Sequence, residues 1–212
     1  MSDPDPRRAV EQYRRHAPGY DASARRTMDI RQRAVALLAL EPGDRVLDVA
    51  CGTGLSFALL VAGVGAAGRV TGVELSPEMM AQARARVAAA RWANVRLVEA
   101  PVERAALDGP YDALLFHYTH DVLQSPAALA HVFAHARPGA RVAAAGVKHL
   151  PRWLYPARVY TLWKARPYLT TFRGLERPWA GLERHLERLQ VVSTRWGTNY
   201  LASGRVSATI TP

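Results

Sequence analysis

Cysteine is almost missing from this 212-residue chain: Cys51 is the single example. That excludes an internal disulfide and leaves no thiolate set for a zinc site, so a reducing cytoplasm is the expected setting. Lysine is nearly as scarce. Of 28 basic residues only Lys148 and Lys164 are lysines, and the formal net charge of +10 is therefore carried by arginine. Such an excess is a solvated basic surface unless it clusters. Long apolar runs are also lacking. The most apolar stretch, "FALLVAGVGAAG" from Phe57, is short and broken by glycines, which makes it the end of a buried helix and not a membrane span. No charged-then-apolar leader pattern opens the chain, and neither an internal repeat nor a low-complexity tract is visible. What is present, 49% hydrophobic and 22% charged residues, suits one globular core with a small appended lid.

Strand and helix patterns alternate along that core. "DRVLDVA", "GRVTGVEL", "NVRLVEA", "YDALLFHY" and "RVAAAGVK" are short apolar runs of strand type. Between them lie helical segments, two of which open with Ser-Pro, Ser76 and Ser125 being N-caps with proline at the first helical position. "RPGA" is a turn into the fifth strand, and the tail carries two strand-like runs joined near Gly197 and Thr198. Repeated βα order predicts an α/β fold with a Rossmann-like, seven-stranded, mostly parallel sheet, helices on both faces and an antiparallel C-terminal hairpin. The first forty residues are expected to be helical, broken at "APGYD".

In such a sheet ligands bind at the carboxyl ends of the strands. The first of these loops, "DVACGTGLSF", has Gly52 and Gly54 where strand must turn into helix, and glycine lets the backbone approach a ligand. A dinucleotide fingerprint needs a third glycine, and that position is Phe57. Asp48, just before the loop, repels a pyrophosphate but attracts an ammonium group. Glu74, ending the second strand, is placed to accept hydrogen bonds from ribose hydroxyls. An amino acid joined to a ribose describes S-adenosyl-L-methionine, whose product is S-adenosyl-L-homocysteine.

"LDVACGTG", "GVELSPEMM", "NVRLVEA" and "YDALLFHYTHDVL", in that order, resemble successive motifs of the class I S-adenosylmethionine-dependent methyltransferases. The resemblance runs from about Tyr13 to Lys148 and is nearest to enzymes that methylate quinones and phospholipids, which share an "A-x-x-Y-D" segment, here "APGYD". It implies that Asp48, Ala50, Gly52 and Gly54 surround the methionine part of the cofactor, with Ala50 at a position often glycine; Cys51, a cofactor-site candidate in the same loop, reads on its own as a small buried filler. It implies further that Glu74 holds the ribose and that Leu75 and Met79 pack on the adenine; His117, which directly ends its strand, and Tyr20, closing the pocket from the N-terminal side, are the other candidates beside the cofactor. Many relatives use an aspartate for the adenine amino group where this chain has Pro101. Val102 keeps its backbone N–H for the ring, and Glu99 or Glu103 are candidates to replace the missing acceptor.

Methyl transfer to a hydroxyl also needs a base. The fourth loop, "HYTHD", offers His117 and His120, with Asp121 beside the latter, as catalytic candidates, and Tyr118 as pocket lining. The same residues as a metal site are disfavoured, because adjacent histidine and aspartate side chains seldom converge. Substrate contacts are expected from Tyr13 and from the insertion Lys148 to Arg173, which carries six basic residues, six aromatics and no acid. Lys148, Trp153, Tyr155 and Tyr160 are its candidates. An amphipathic basic-aromatic segment of this kind suits an apolar acceptor or peripheral contact with an anionic membrane. The expected organisation is a helical lid over 1–40, the cofactor core over 41–147, a basic aromatic lid over 148–187 and completing strands over 188–212. Two alternatives remain open. One is an RNA methyltransferase, although no RNA-binding module or Asn/Asp-Pro-Pro-aromatic motif is visible and nucleic acid is not the expected partner; the other is a non-catalytic S-adenosylmethionine-binding protein.

Overall fold

The computed structural model describes Asp21, residues 27–149 and residues 173–208. The expected strand runs form β1 (Arg45–Val49), β2 (Arg69–Glu74), β3 (Val95–Glu99), β4 (Tyr111–His117) and β5 (Ala136–Val147), with β6 (Leu186–Thr194) and β7 (Asn199–Val206) from the tail. They make one seven-stranded sheet in the order β3-β2-β1-β4-β5-β7-β6. Strands β1 to β5 pair parallel, and β7 runs antiparallel to both β5 and β6. The order in which successive strands are laid down reverses between β1 and β4, the switch point where open α/β sheets bind ligands.

Helices α1 (Met28–Leu37), α2 (Phe57–Val64), α3 (Pro77–Ala90), α4 (His120–Leu123) and α5 (Pro126–Ala134) supply the outer layers. Ser76 and Ser125 cap α3 and α5 as their sequences predict, each side chain accepting the N–H three residues on, from Met79 and Ala128. Successive strand residues point to opposite faces, and this fixes what the site can contain. Val46, Ala113 and Leu115 pack with Ile30 of α1, Phe57 and Leu60 of α2 and Met80 of α3. Leu47, Val49, Leu114 and Phe116 pack on the opposite side with Leu129 and Phe133 of α5. By the same alternation Asp48, Glu74 and His117 fall on the α1–α3 face at the carboxyl ends of their strands.

Phe57, at the position where a dinucleotide fingerprint has glycine, is fully buried. Two glycines make its space: a Cβ on Gly54 would lie 2.4 Å from the Phe57 ring, and one on Gly72 would lie 2.7 Å from it. Gly54 is thus required by packing beneath the loop as well as by its φ of 76°. The "RPGA" turn lies inside β5 instead of before it. Tyr111 pairs with Ala136 and Ala113 with Arg141, so the intervening residues bulge out, with Gly139 at φ 77°. The β6–β7 connection turns through Arg195, Trp196 and Gly197, all at positive φ, and leaves Trp196 almost fully exposed. Because Asn199 pairs with Val147, this tip sits at the carboxyl ends of the parallel strands. Among the described residues no helix is long and apolar enough to cross a membrane.

Candidate functional site

The loop after β1 alternates conformation residue by residue: Ala50, Gly52 and Gly54 have φ of 53°, 58° and 76°. Its frame is backbone bonding, with Cys51 N–H donating to Val73 O at 2.8 Å and Gly54 N–H to Cys51 O at 3.0 Å. Ala50 is the one residue of the three that carries a Cβ, and a left-handed alanine costs about 1 kcal/mol. Ala50→Gly is accordingly expected to stabilise the ligand-free protein by about 0.5 kcal/mol after the added chain entropy is subtracted, measured by urea denaturation. A loss of stability would mean that the alanine methyl packs more favourably than its backbone strain costs.

Glu74 reaches back from β2 into this loop. Its Oε2 accepts the Gly52 N–H at 2.9 Å and its Oε1 accepts the Ser76 N–H at 2.7 Å. Burial raises its pKa, and these backbone donors oppose the rise. Each carboxylate oxygen still keeps a second lone pair for a ligand hydroxyl.

Asp48 is 1% exposed. Burial pushes its pKa up to about 7; the Arg31 charge and a hydrogen bond from Ser56 pull it down, and the nearby Glu74 pushes it up. Its Oδ2 has no hydrogen-bond partner among the described residues. Arg31, on the buried side of α1, donates to Ser56 Oγ and so sits over the same corner. The sequence reading missed Arg31 and Ser56. One signal was available for the arginine: it shares a helical face with Ala34, Val35 and Leu38, a stripe otherwise apolar.

His117 ends β4 with both ring nitrogens buried and unpartnered among the described residues. Burial, reinforced by the Arg31 charge, holds its pKa well below the ordinary histidine value, so the ring is neutral. Its neighbour Tyr118 takes a φ of 59° and a ring position 4.8 Å from the His117 ring. The Tyr118 hydroxyl accepts from Asn199 Nδ2 at 3.1 Å, which joins the end of β4 to the β6–β7 tip. His120 is oriented by a backbone carbonyl: its Nε2 lies 2.9 Å from Arg173 O. That contact requires the hydrogen on Nε2 and leaves the lone pair on Nδ1, which is buried and has no partner among the described residues. Burial lowers the His120 pKa and the adjacent Asp121 charge partly offsets this.

The remaining candidates are distributed unevenly. Met79 is buried at the start of α3 and Leu75 is half-buried beside it. Ala100 N–H donates to Glu74 O at 3.1 Å, which sets Pro101 and Val102 next in chain to a residue touching Glu74. The Val102 side chain belongs to the core on the α5 side. Glu99, a candidate acceptor for the adenine amino group, is exposed and pairs with Arg84 at 2.8 Å, while Glu103 is half-buried. Cys51 is buried and its thiol pKa is raised, first by burial and then by the Asp48 and Glu74 charges, which makes it unreactive. Lys148 donates its backbone N–H to Thr198 O at 2.9 Å. Tyr13, Tyr20, Trp153, Tyr155 and Tyr160 lie outside the described residues.

A family model described as a methyltransferase domain matches residues 46–139, the segment from β1 to the start of β5. The chain is 34% identical over 127 residues to a malonyl-[acyl-carrier protein] O-methyltransferase of Serratia marcescens, covering 60% of this chain and 48% of that protein. To a demethylmenaquinone methyltransferase of Symbiobacterium thermophilum it is 32% identical over 110 residues, 50% of this chain and 44% of the other. It therefore spans about half the length of these relatives. In fold, the chain superposes on an S-adenosylmethionine-dependent methyltransferase from Aquifex aeolicus with a TM-score of 0.60, at 22% identity, covering 83% of this chain and 89% of that one.

The Aquifex aeolicus protein is named for its dependence on S-adenosylmethionine, and the residues at the carboxyl ends of β1 and β2 have the chemistry to hold such a molecule. The buried Asp48 Oδ2, unpartnered among the described residues, calls for a hydrogen-bond donor, and an ammonium group is a charge-assisted one. Glu74 has acceptor capacity to spare on both oxygens.

Proposed function

We propose that this protein transfers a methyl group from S-adenosyl-L-methionine to an oxygen or nitrogen of a small, apolar or amphipathic acceptor. The observation that carries the reading is Asp48 Oδ2, buried beside Glu74 at the switch point of the sheet and without a hydrogen-bond partner among the described residues. Support for a small acceptor comes from the relatives, one named for O-methylation of a malonyl group on a carrier and one for demethylmenaquinone. The cofactor, when bound, supplies an electrophilic methyl carbon on a sulfonium centre. Asp48 would hold its ammonium group, Glu74 its ribose hydroxyls, and the Gly52–Gly54 backbone would run alongside. His117, neutral and buried, would line the floor between cofactor and acceptor. His120 Nδ1 would take the proton of a hydroxyl acceptor, with the Arg173 carbonyl fixing the tautomer. Positioning the acceptor in line and excluding water would supply much of the remaining rate.

Calorimetric titration with S-adenosylmethionine and S-adenosylhomocysteine tests the cofactor half of this reading. Saturable binding is expected for the wild type. Glu74→Ala should weaken it on the order of 100-fold, since the change removes ribose acceptors and leaves the Gly52 and Ser76 amides without their carboxylate. Folded wild-type protein that fails to bind either ligand, or a variant that binds equally well, would overturn the reading. Screening phenols, other hydroxyls and lipid amines with a labelled methyl donor then tests the acceptor class.

A further inference from the structure

The loop after β1 is gripped from a second side, by Asp21 and Arg86. Thr53, at the tip of the loop between two left-handed glycines, is 1% exposed. Its hydroxyl donates to Asp21 Oδ1 at 2.6 Å. Arg86, in the last half of α3, donates through Nε to the Thr53 carbonyl at 2.9 Å and through Nη2 to Asp21 Oδ2. Thr53, Asp21 and Arg86 thus close a ring of three charge-assisted contacts that links the loop and α3 through the Asp21 carboxylate. Glu74 holds Gly52 from the β2 side, so the two consecutive residues Gly52 and Thr53 are each fixed by a different anchor.

We infer that Asp21 and Arg86 are positioning residues of the cofactor site: together they hold the Gly52–Gly54 backbone in its ligand-ready conformation and make the Asp21–Thr53–Arg86 contacts and cofactor binding mutually dependent. The physical reasons are three. A loop with three left-handed residues in five has a backbone that relaxes readily unless over-determined. Its approach to a ligand is sensitive to shifts well below 1 Å. Finally, the pair Asp21 and Arg86 is only about one-third exposed on each side, and Arg86 spends two of its donors in fixed directions, which lysine cannot reproduce. Any ligand that favours the held loop must, by linkage, favour the docked Asp21 by the same factor. This inference rests on the proposed cofactor reading.

The test uses the full chain with Asp21→Asn, Arg86→Met, Arg86→Lys and the Asp21→Asn/Arg86→Met double variant. Two quantities are read: the dissociation constant for S-adenosylhomocysteine by calorimetry, and amide hydrogen exchange across residues 50–56 without ligand. Each single variant is expected to raise the dissociation constant about tenfold, with the double variant no worse than the more damaging single, because the three residues act as one unit. Arg86→Lys should recover only part of the loss. Exchange in the loop should accelerate about tenfold while strands β1 and β4 keep wild-type protection, which a general loss of fold would not produce. Unchanged loop exchange, or losses of affinity that add in the double variant, would overturn the inference. If wild-type protein bound no S-adenosylhomocysteine, the cofactor reading would fail, whereas the exchange comparison would still decide whether Asp21 and Arg86 hold the loop.

Discussion

Asp48→Asn is expected to weaken S-adenosylhomocysteine binding on the order of 100-fold near neutral pH, the loss of one charge-assisted hydrogen bond in a buried site. At the same pH it should make the ligand-free protein more stable. The opposite signs have one origin. Asp48 is buried, and its pKa lies at about 7 in the folded protein against an ordinary value of 3.8. Below that ordinary value both folded and unfolded chains carry the proton. Between there and about 7 the unfolded chain ionises while the folded protein retains the proton, so rising pH progressively disfavours folding. Over the whole window the cost is on the order of 4 kcal/mol. Asparagine carries no such term, and the variant should therefore melt higher than wild type above about pH 7.

A ligand ammonium reverses this balance by holding the carboxylate ionised. Below about 7 binding must then expel the Asp48 proton, so wild-type affinity should rise about tenfold per pH unit, level off between about 7 and 8, and fall as the ligand amine deprotonates. Calorimetry at about pH 6 in two buffers of different ionisation enthalpy should count close to one proton released for wild type and none for Asp48→Asn. Wild-type affinity that is flat from about pH 6 to 8, with no proton release, would mean that Asp48 does not meet the ammonium group.

Those predictions draw on features that differ in how far the sequence exposes them. The alternation of strands and helices, the Ser-Pro caps and the paired acids at strand ends are local patterns, set by residues close in the chain, and each is legible before any fold is known. Asp48 and Glu74 stand out because acids ending apolar strands need partners. Arg31 does not stand out in the same way, since Ser56, which accepts its hydrogen bond, lies 25 positions away. The Asp21–Thr53–Arg86 ring is still less visible, because its members are 32 and 65 positions apart from Asp21 and nothing in their spacing brings them together. The same holds for Phe57, whose ring occupies space left by Gly72 on a different strand, and for the β5 bulge, where pairing with β4 overrides the local turn signal of "RPGA". Sequence reasoning locates a site by its chemistry; the contacts that orient it are tertiary and become visible only when the chain is closed.

His120→Ala is the substitution expected to affect turnover most, lowering kcat with a hydroxyl acceptor by about 100- to 1,000-fold while S-adenosylhomocysteine affinity stays within about twofold. The Arg173 carbonyl at 2.9 Å fixes the hydrogen on Nε2, so the basic lone pair is on Nδ1, and that nitrogen has no other partner among the described residues. Burial lowers the pKa and Asp121 only partly restores it. The free-base form is therefore present throughout neutral pH, and the acid limb of kcat/KM should fall below the ordinary histidine value of 6.5 and disappear in the variant. An amine acceptor gives a different pattern. It needs only to arrive unprotonated, so its rate should follow the amine's own titration and change little on His120→Ala. Equal losses of turnover and affinity with a hydroxyl acceptor would assign His120 to holding the β4 loop on Arg173. A loss confined to kcat, with the acid limb gone, would assign it to the proton.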